Sequence, residues 1–138
     1  MTYKYALPNS CPDILTDEIN ESCKLYRLVR NFPPTDEDFY PRAKINGYTS
    51  KPDKLSNPQY CKEWGVSTFY NVKDIFTILK SVRKKQKNSY IVYGTVVMPI
   101  HGILKATPSR FPSHCDWFPF KNVDEKGIIN NRYEKNEN

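Results

Sequence analysis

Five consecutive residues, Ser113, His114, Cys115, Asp116 and Trp117, concentrate the most versatile chemistry in this chain. A histidine near a carboxylate can serve as a general acid or base, which makes His114 and Asp116 the candidate catalytic pair. An aromatic ring beside them can stack on a nucleobase or a nicotinamide. The competing reading is a packed corner: Trp117, Phe118 and Phe120 fill the core, and His114 caps a turn. Cys115 is a poor partner for His114, because adjacent side chains on a strand face opposite ways. His101, His114, Cys115 and Asp116 show neither His-x3-His nor Cys-x2-Cys spacing, so no metal site is expected.

Two other places carry polar groups on promising elements. Residues 65–69 (GVSTF) read as a short strand that delivers Ser67 and Thr68 to its end. Residues 24–30 (KLYRLVR) read as a strand rich in β-formers and free of glycine and proline. Alternation places Leu25, Arg27 and Val29 on one face, with Tyr26, Leu28 and Arg30 on the other. One of the two arginines is expected to meet a partly buried anion site or carboxylate; alternatively, both reach into water from the strand ends.

The elements that must hold these groups centre on residues 64–98. Asn71 is a good helix N-cap, and Asp74 three residues on makes an imperfect capping box. Val72, Ile75, Phe76, Leu79 and Val82 recur at helical spacing, which predicts an amphipathic helix over 71–87. Arg83, Lys84, Lys85 and Lys87 fall in its last turn, where cations complement the helix dipole. Residues 90–98 (YIVYGTVVM) then form an apolar strand, and 101–107 a further one.

Upstream, 1–12 read as an extended arm and 13–21 as a short helix. Pro33 and Pro34 end the first strand, and Thr35 opens a helical turn before Phe39. Residues 41–58 read as a long loop and 59–64 as another helical turn. A loop of that length inside a compact domain is often functional. Residues 1–127 are expected to form one domain, with 128–138 a polar, frayed tail. The fold class expected is α+β: a mixed, twisted sheet with one principal amphipathic helix packed on it.

The 138 residues suffice for one domain with a single core. Twenty-one basic against fifteen acidic residues leave a net charge of +6, which favours an anionic partner without naming one. No stretch approaches a membrane span and the start has no apolar signal region, so the expected location is cytoplasmic. Cys11, Cys23, Cys61 and Cys115 are accordingly expected as four free thiols. Nucleotide-loop, zincin and hydrolase-elbow strings are absent, as are common nucleic-acid-binding signatures.

Three blocks, LYRLVRNFPPTDEDF (25–39), WGVSTF (64–69) and SHCDWFPF (113–120), resemble those of a group of small bacterial proteins carrying them in the same order. That resemblance brings no activity with it. A more distant likeness is to ADP-ribosyltransferase-like folds, including RES-type toxins that consume NAD. In such folds a strand bears an arginine that holds the dinucleotide; a strand with a serine, a helix and an apolar strand follow. The likeness implies that Arg27 grips the pyrophosphate or ribose, that Ser67, with Thr68 beside it, orders the nicotinamide ribose, and that Tyr70 stacks on nicotinamide. Those enzymes finish with a catalytic glutamate on a late strand, where this chain offers His114, Asp116 or Glu125.

Two functions are therefore carried forward, beside a third in which the chain is a structural partner with no pocket. One is an NAD-using ADP-ribosyltransferase-like enzyme of toxin or anti-phage type, which requires Arg27, Ser67 and His114 or a carboxylate to meet in one cleft. The other is a non-enzymatic module whose basic face, from Arg83 to Lys87, binds a protein subunit or nucleic acid.

Overall fold

The computed structural model describes residues 2–47, 58–84 and 88–134. Among the described residues seven strands form one sheet: β1 (Glu18–Ile19), β2 (Cys23–Val29), β3 (Val66–Phe69), β4 (Tyr90–Val96), β5 (Gly102–Ala106), β6 (His114–Pro119) and β7 (Asn131–Arg132). Their spatial order is β1-β5-β6-β3-β2-β4-β7. Four α-helical segments accompany them: α1 (Arg42–Ile45), α2 (Pro58–Lys62), α3 (Val72–Arg83) and α4 (Glu125–Ile128). The α+β class is as expected. Every pairing is antiparallel, however, rather than mixed. β3, α3 and β4 do form a crossover of the parallel kind, but β2 lies between the two strands, antiparallel to both.

α3 is the principal helix. The Asn71 side chain accepts from the Lys73 N–H and satisfies one of the free donors of the first turn. Ile75 and Leu79 are buried against Tyr26, Phe69 and Ile91 on the sheet. Asp74 does not complete a capping box: its carboxylate accepts from the backbone N–H (3.0 Å) and hydroxyl (2.7 Å) of Ser113. That bond ties the first turn of α3 to the residue preceding β6, and so fixes where His114 begins its strand. The helix ends at Arg83 rather than 87, and Lys85 and Lys87 of the basic run lie outside the described residues.

The other face of the sheet holds the larger core, including Leu25, Val29, Phe39, Val92, Leu104 and Trp117. β2 alternates as expected: Leu25 and Val29 enter this core, while Tyr26 and Leu28 face α3. The block 113–120 is a strand, not a corner, and its aromatic side chains still fill both faces. Trp117 and Phe118 are buried in different clusters.

Three expectations are corrected. Residues 13–21 form no helix: a turn follows the arm, and Glu18–Ile19 pairs with Lys105 and Leu104 of β5 as an edge strand. An ion pair between Glu18 and the buried Lys105 ammonium, at 2.9 Å, fixes that register. Residues 128–134 are not frayed, because Ile129 is fully buried and β7 pairs with β4. Tyr133 packs its ring on Tyr26, Phe76 and Tyr93. Two of the four cysteines are not free: Cys11 and Cys61 form a disulfide, leaving Cys23 and Cys115 as thiols. It fastens the N-terminal arm to α2, whose residues form one wall of the cleft described next.

Candidate functional site

The sheet opens between β2 and β3. Seven residue pairs join β2 to β4 and four join β3 to β6, but β2 and β3 share only Tyr26 and Phe69. Past that pair the Arg27 side chain bridges the two strands. Its Nε donates to the Asp38 carbonyl (2.7 Å) and its Nη1 to the Ser67 carbonyl (2.6 Å). A cleft of about 750 Å³ lies here, lined by Arg27, Gly65, Ser67, His114 and Asp116, and by Arg42 of α1 and Lys62 of α2.

Arg27 is a half-buried cation of this cleft, as is Lys62. Burial lowers its pKa to about 10, against the pull of Asp38, Tyr5, Glu125 and Asp116. It has no direct carboxylate partner among the described residues. The Asp38 carboxylate is turned instead to the backbone N–H groups of Arg30 and Thr35, both at 2.9 Å, and to the Asn31 amide. Two of the five guanidinium N–H groups meet carbonyls, and the others have no partner among the described residues. Arg30, by contrast, is exposed at the strand end.

Strand register assembles the polar side. Ser67 stands directly opposite Asp116, and His114, two residues before Asp116, shares its face. The Ser67 hydroxyl lies 2.6 Å from His114 Nε2. His114 Nδ1 lies 3.0 Å from the Thr107 carbonyl and 2.9 Å from the Thr107 hydroxyl, and that hydroxyl donates to Asp116 Oδ2 at 2.8 Å.

Donor arithmetic assigns the protons. A carbonyl only accepts, so Nδ1 carries a hydrogen, and when the ring is neutral Nε2 is the nitrogen that accepts from Ser67. The Thr107 hydroxyl has one hydrogen; it gives it to Asp116 and accepts from His114. The result is a directed chain, Ser67 to His114 to Thr107 to Asp116. Burial raises the Asp116 pKa, opposed by His114, by the Thr107 hydroxyl and by the cations Lys62 and Arg27.

Of the six residues singled out from the sequence, Arg27, Ser67, His114 and Asp116 converge on this cleft. Thr68 does not: alternation turns it to the opposite face, where it is fully buried and donates to the Cys115 carbonyl at 3.1 Å. Tyr70 is 49% exposed, its hydroxyl near the Pro112 carbonyl, and is not among the residues lining the cleft. Cys115 is buried and its thiol is pushed up to about 12, which removes it as a nucleophile. Glu125 lies elsewhere, bound to Lys4 and to the Tyr5 hydroxyl.

Thr107, Arg42, Lys62 and Gly65 carried no sequence signal. Thr107 ends up beside His114 only through the β5–β6 hairpin, in which Ala106 pairs with Cys115. Gly65 is required by close approach, since a Cβ there would lie 2.7 Å from Asp116 Cβ. Among the described residues no group of three or more His, Cys, Asp or Glu side chains is placed to hold a metal ion. No described helix is long and apolar enough to cross a membrane. Comparison of the chain with protein-family models, with curated proteins and with solved structures finds no match.

Proposed function

We propose that this protein is an NAD-consuming enzyme of the ADP-ribosyltransferase type, working in the cleft between β2 and β3. The observation that carries the reading is the convergence of Arg27, Ser67, His114 and Asp116 on one concavity from three separate strands. The chain order agrees with the resemblance: an arginine on β2, a serine on β3, then α3, the apolar β4, and a carboxylate on the late strand β6.

The residues suit such a ligand. The cleft volume is within the range of small-molecule sites. Arg27, Arg42 and Lys62 outnumber the lining acids Glu63 and Asp116, which suits a diphosphate. Arg27 offers phosphate oxygens the donors that no described residue uses. Ser67 and His114 hold a ribose hydroxyl. Asp116, once ionised, faces the positive charge that develops at the sugar carbon as nicotinamide departs. Bringing a cation beside Asp116 lowers its pKa, so ligand binding itself favours the form that stabilises the transition state.

Calorimetric titration with NAD tests the reading. Wild type should bind, and Arg27→Met should weaken binding at least about 10-fold, the worth of a lost charged hydrogen bond. Equal affinity in the two proteins would remove Arg27 from the role assigned to it.

A second reading is favoured by one observation. Lys80 and Arg83 of α3 meet Arg132 of β7 around a hollow of about 350 Å³ that also includes Tyr90 and Tyr133. Cations interleaved with aromatic rings suit an anionic protein or nucleic-acid partner. Lys80→Glu with Arg132→Glu should abolish such binding while leaving the cleft untouched.

A further inference from the structure

The hydrogen-bond chain behind Ser67 does more than orient a sugar. We infer that Ser67 is a base-activated nucleophile, and that the cleft also hydrolyses carboxylic esters carrying negative charge. This goes beyond the NAD reading and does not depend on it. A serine hydroxyl is a weak nucleophile unless a base sits within hydrogen-bond reach and is itself oriented by a third group. Here the base is at 2.6 Å, and its other nitrogen is fixed by the Thr107 carbonyl and hydroxyl, which leaves the nitrogen facing Ser67 as the acceptor of the neutral ring. Thr107 in turn is held by the buried Asp116. Structural serines need none of these parts.

The position is also accessible. Ser67 and His114 are half-buried and line the cleft together with the more deeply buried Asp116, whereas Thr107 is buried and does not line it. Arg27 spans to the Ser67 backbone and faces the same space, where a cation stabilises charge developing on a carbonyl oxygen. Arg42 and Lys62, which also line the cleft, select esters with a further anionic group.

The step balances. Ser67 Oγ bonds to the carbonyl carbon as its proton passes to His114 Nε2, and the carbonyl π pair moves to the oxygen facing Arg27. That pair returns as the bond to the leaving alkoxide breaks, and the alkoxide takes the proton from His114. Water then attacks the acyl carbon while His114 accepts its proton. The carboxylic acid departs, and the Ser67 oxygen recovers a proton from His114. Thr107 is a positioning residue, since its hydroxyl bonds His114 and Asp116 and it does not line the cleft.

The test treats the folded full chain with a fluorophosphonate, which phosphonylates an activated serine with loss of fluoride. One equivalent should attach, and peptide mapping should place it on Ser67. Ser67→Ala and heat-unfolded wild type should not label. His114→Asn should label about 100-fold more slowly, the usual worth of a general base. Thr107→Val leaves both reacting groups in place, and should slow labelling about 10-fold with unchanged Ser67 selectivity. Mono-p-nitrophenyl succinate, an ester with a free carboxylate, should be turned over by wild type and not by Ser67→Ala. Absence of label on folded wild type, label on another residue, or a rate indifferent to His114→Asn would overturn the proposal. So would label on Ser67 without ester turnover. None of these assays contains NAD, so a failed NAD reading leaves their outcome intact.

Discussion

Replacing Arg27 by methionine separates a ligand-binding charge from a structural one. Burial lowers the guanidinium pKa to about 10, well below its ordinary range. At about 1.4 kcal/mol per pH unit, the charged form costs the folded state about 3 kcal/mol. The sign is that of a depressed base: the cost is fully present at every pH below 10, and is relieved only above it. Methionine fills much of the same stem without the charge, but leaves the carbonyls of Asp38 and Ser67 without their donor. Those two charge-assisted bonds are worth about 1.5–3 kcal/mol each. Their loss equals or exceeds the relieved charge cost, so Arg27→Met should be less stable by about 0–3 kcal/mol, lowering Tm by at most about 10 °C in calorimetry. The same variant should lose NAD affinity, as expected of a cation held for binding. A Tm lower by more than about 10 °C would show that Arg27 holds the two halves of the sheet together, and would refute this reasoning.

Asp116→Asn should stabilise the fold at neutral pH. Burial raises the aspartate pKa, so between the ordinary carboxylate range and the raised value the folded state binds more protons, and stability falls as pH rises. The gain should be measurable by denaturant titration at pH 7 and should vanish once the pH is below the ordinary carboxylate range, while catalysis is lost. Gly65→Ala places a Cβ 2.7 Å from Asp116 Cβ and 3.0 Å from the Phe118 ring. It should cost about 1–3 kcal/mol as an overpacked site and weaken ligand binding, checked by the same titration. Reduction of the Cys11–Cys61 bond, which closes a separation of 50 residues, should remove about 4 kcal/mol and lower Tm by more than about 10 °C.

The parts of this protein written in local pattern were legible from the sequence. The apolar spacing from Val72 to Val82 and the Asn71 cap specify α3, and the β-branched and aromatic runs specify β2 and β4. What depended on partners far along the chain was not. Ser67 and His114 are 47 residues apart, and nothing local states that β3 pairs with β6 in the register that joins them. The same holds for Thr107, for the Cys11–Cys61 bond, and for β1 and β7, strands of two residues that exist only because β5 and β4 offer an edge. Thr68 illustrates the converse. Adjacency to Ser67 suggested a shared role, and strand alternation sent it into the core.

Nicotinamide release from NAD by the purified full chain, followed by chromatography, tests the central claim most directly. The account predicts release by wild type that falls at least about 100-fold in both Ser67→Ala and Asp116→Asn, with both variants folded. Release unaffected by either substitution, or none from a wild type shown by calorimetry to bind NAD, would contradict it.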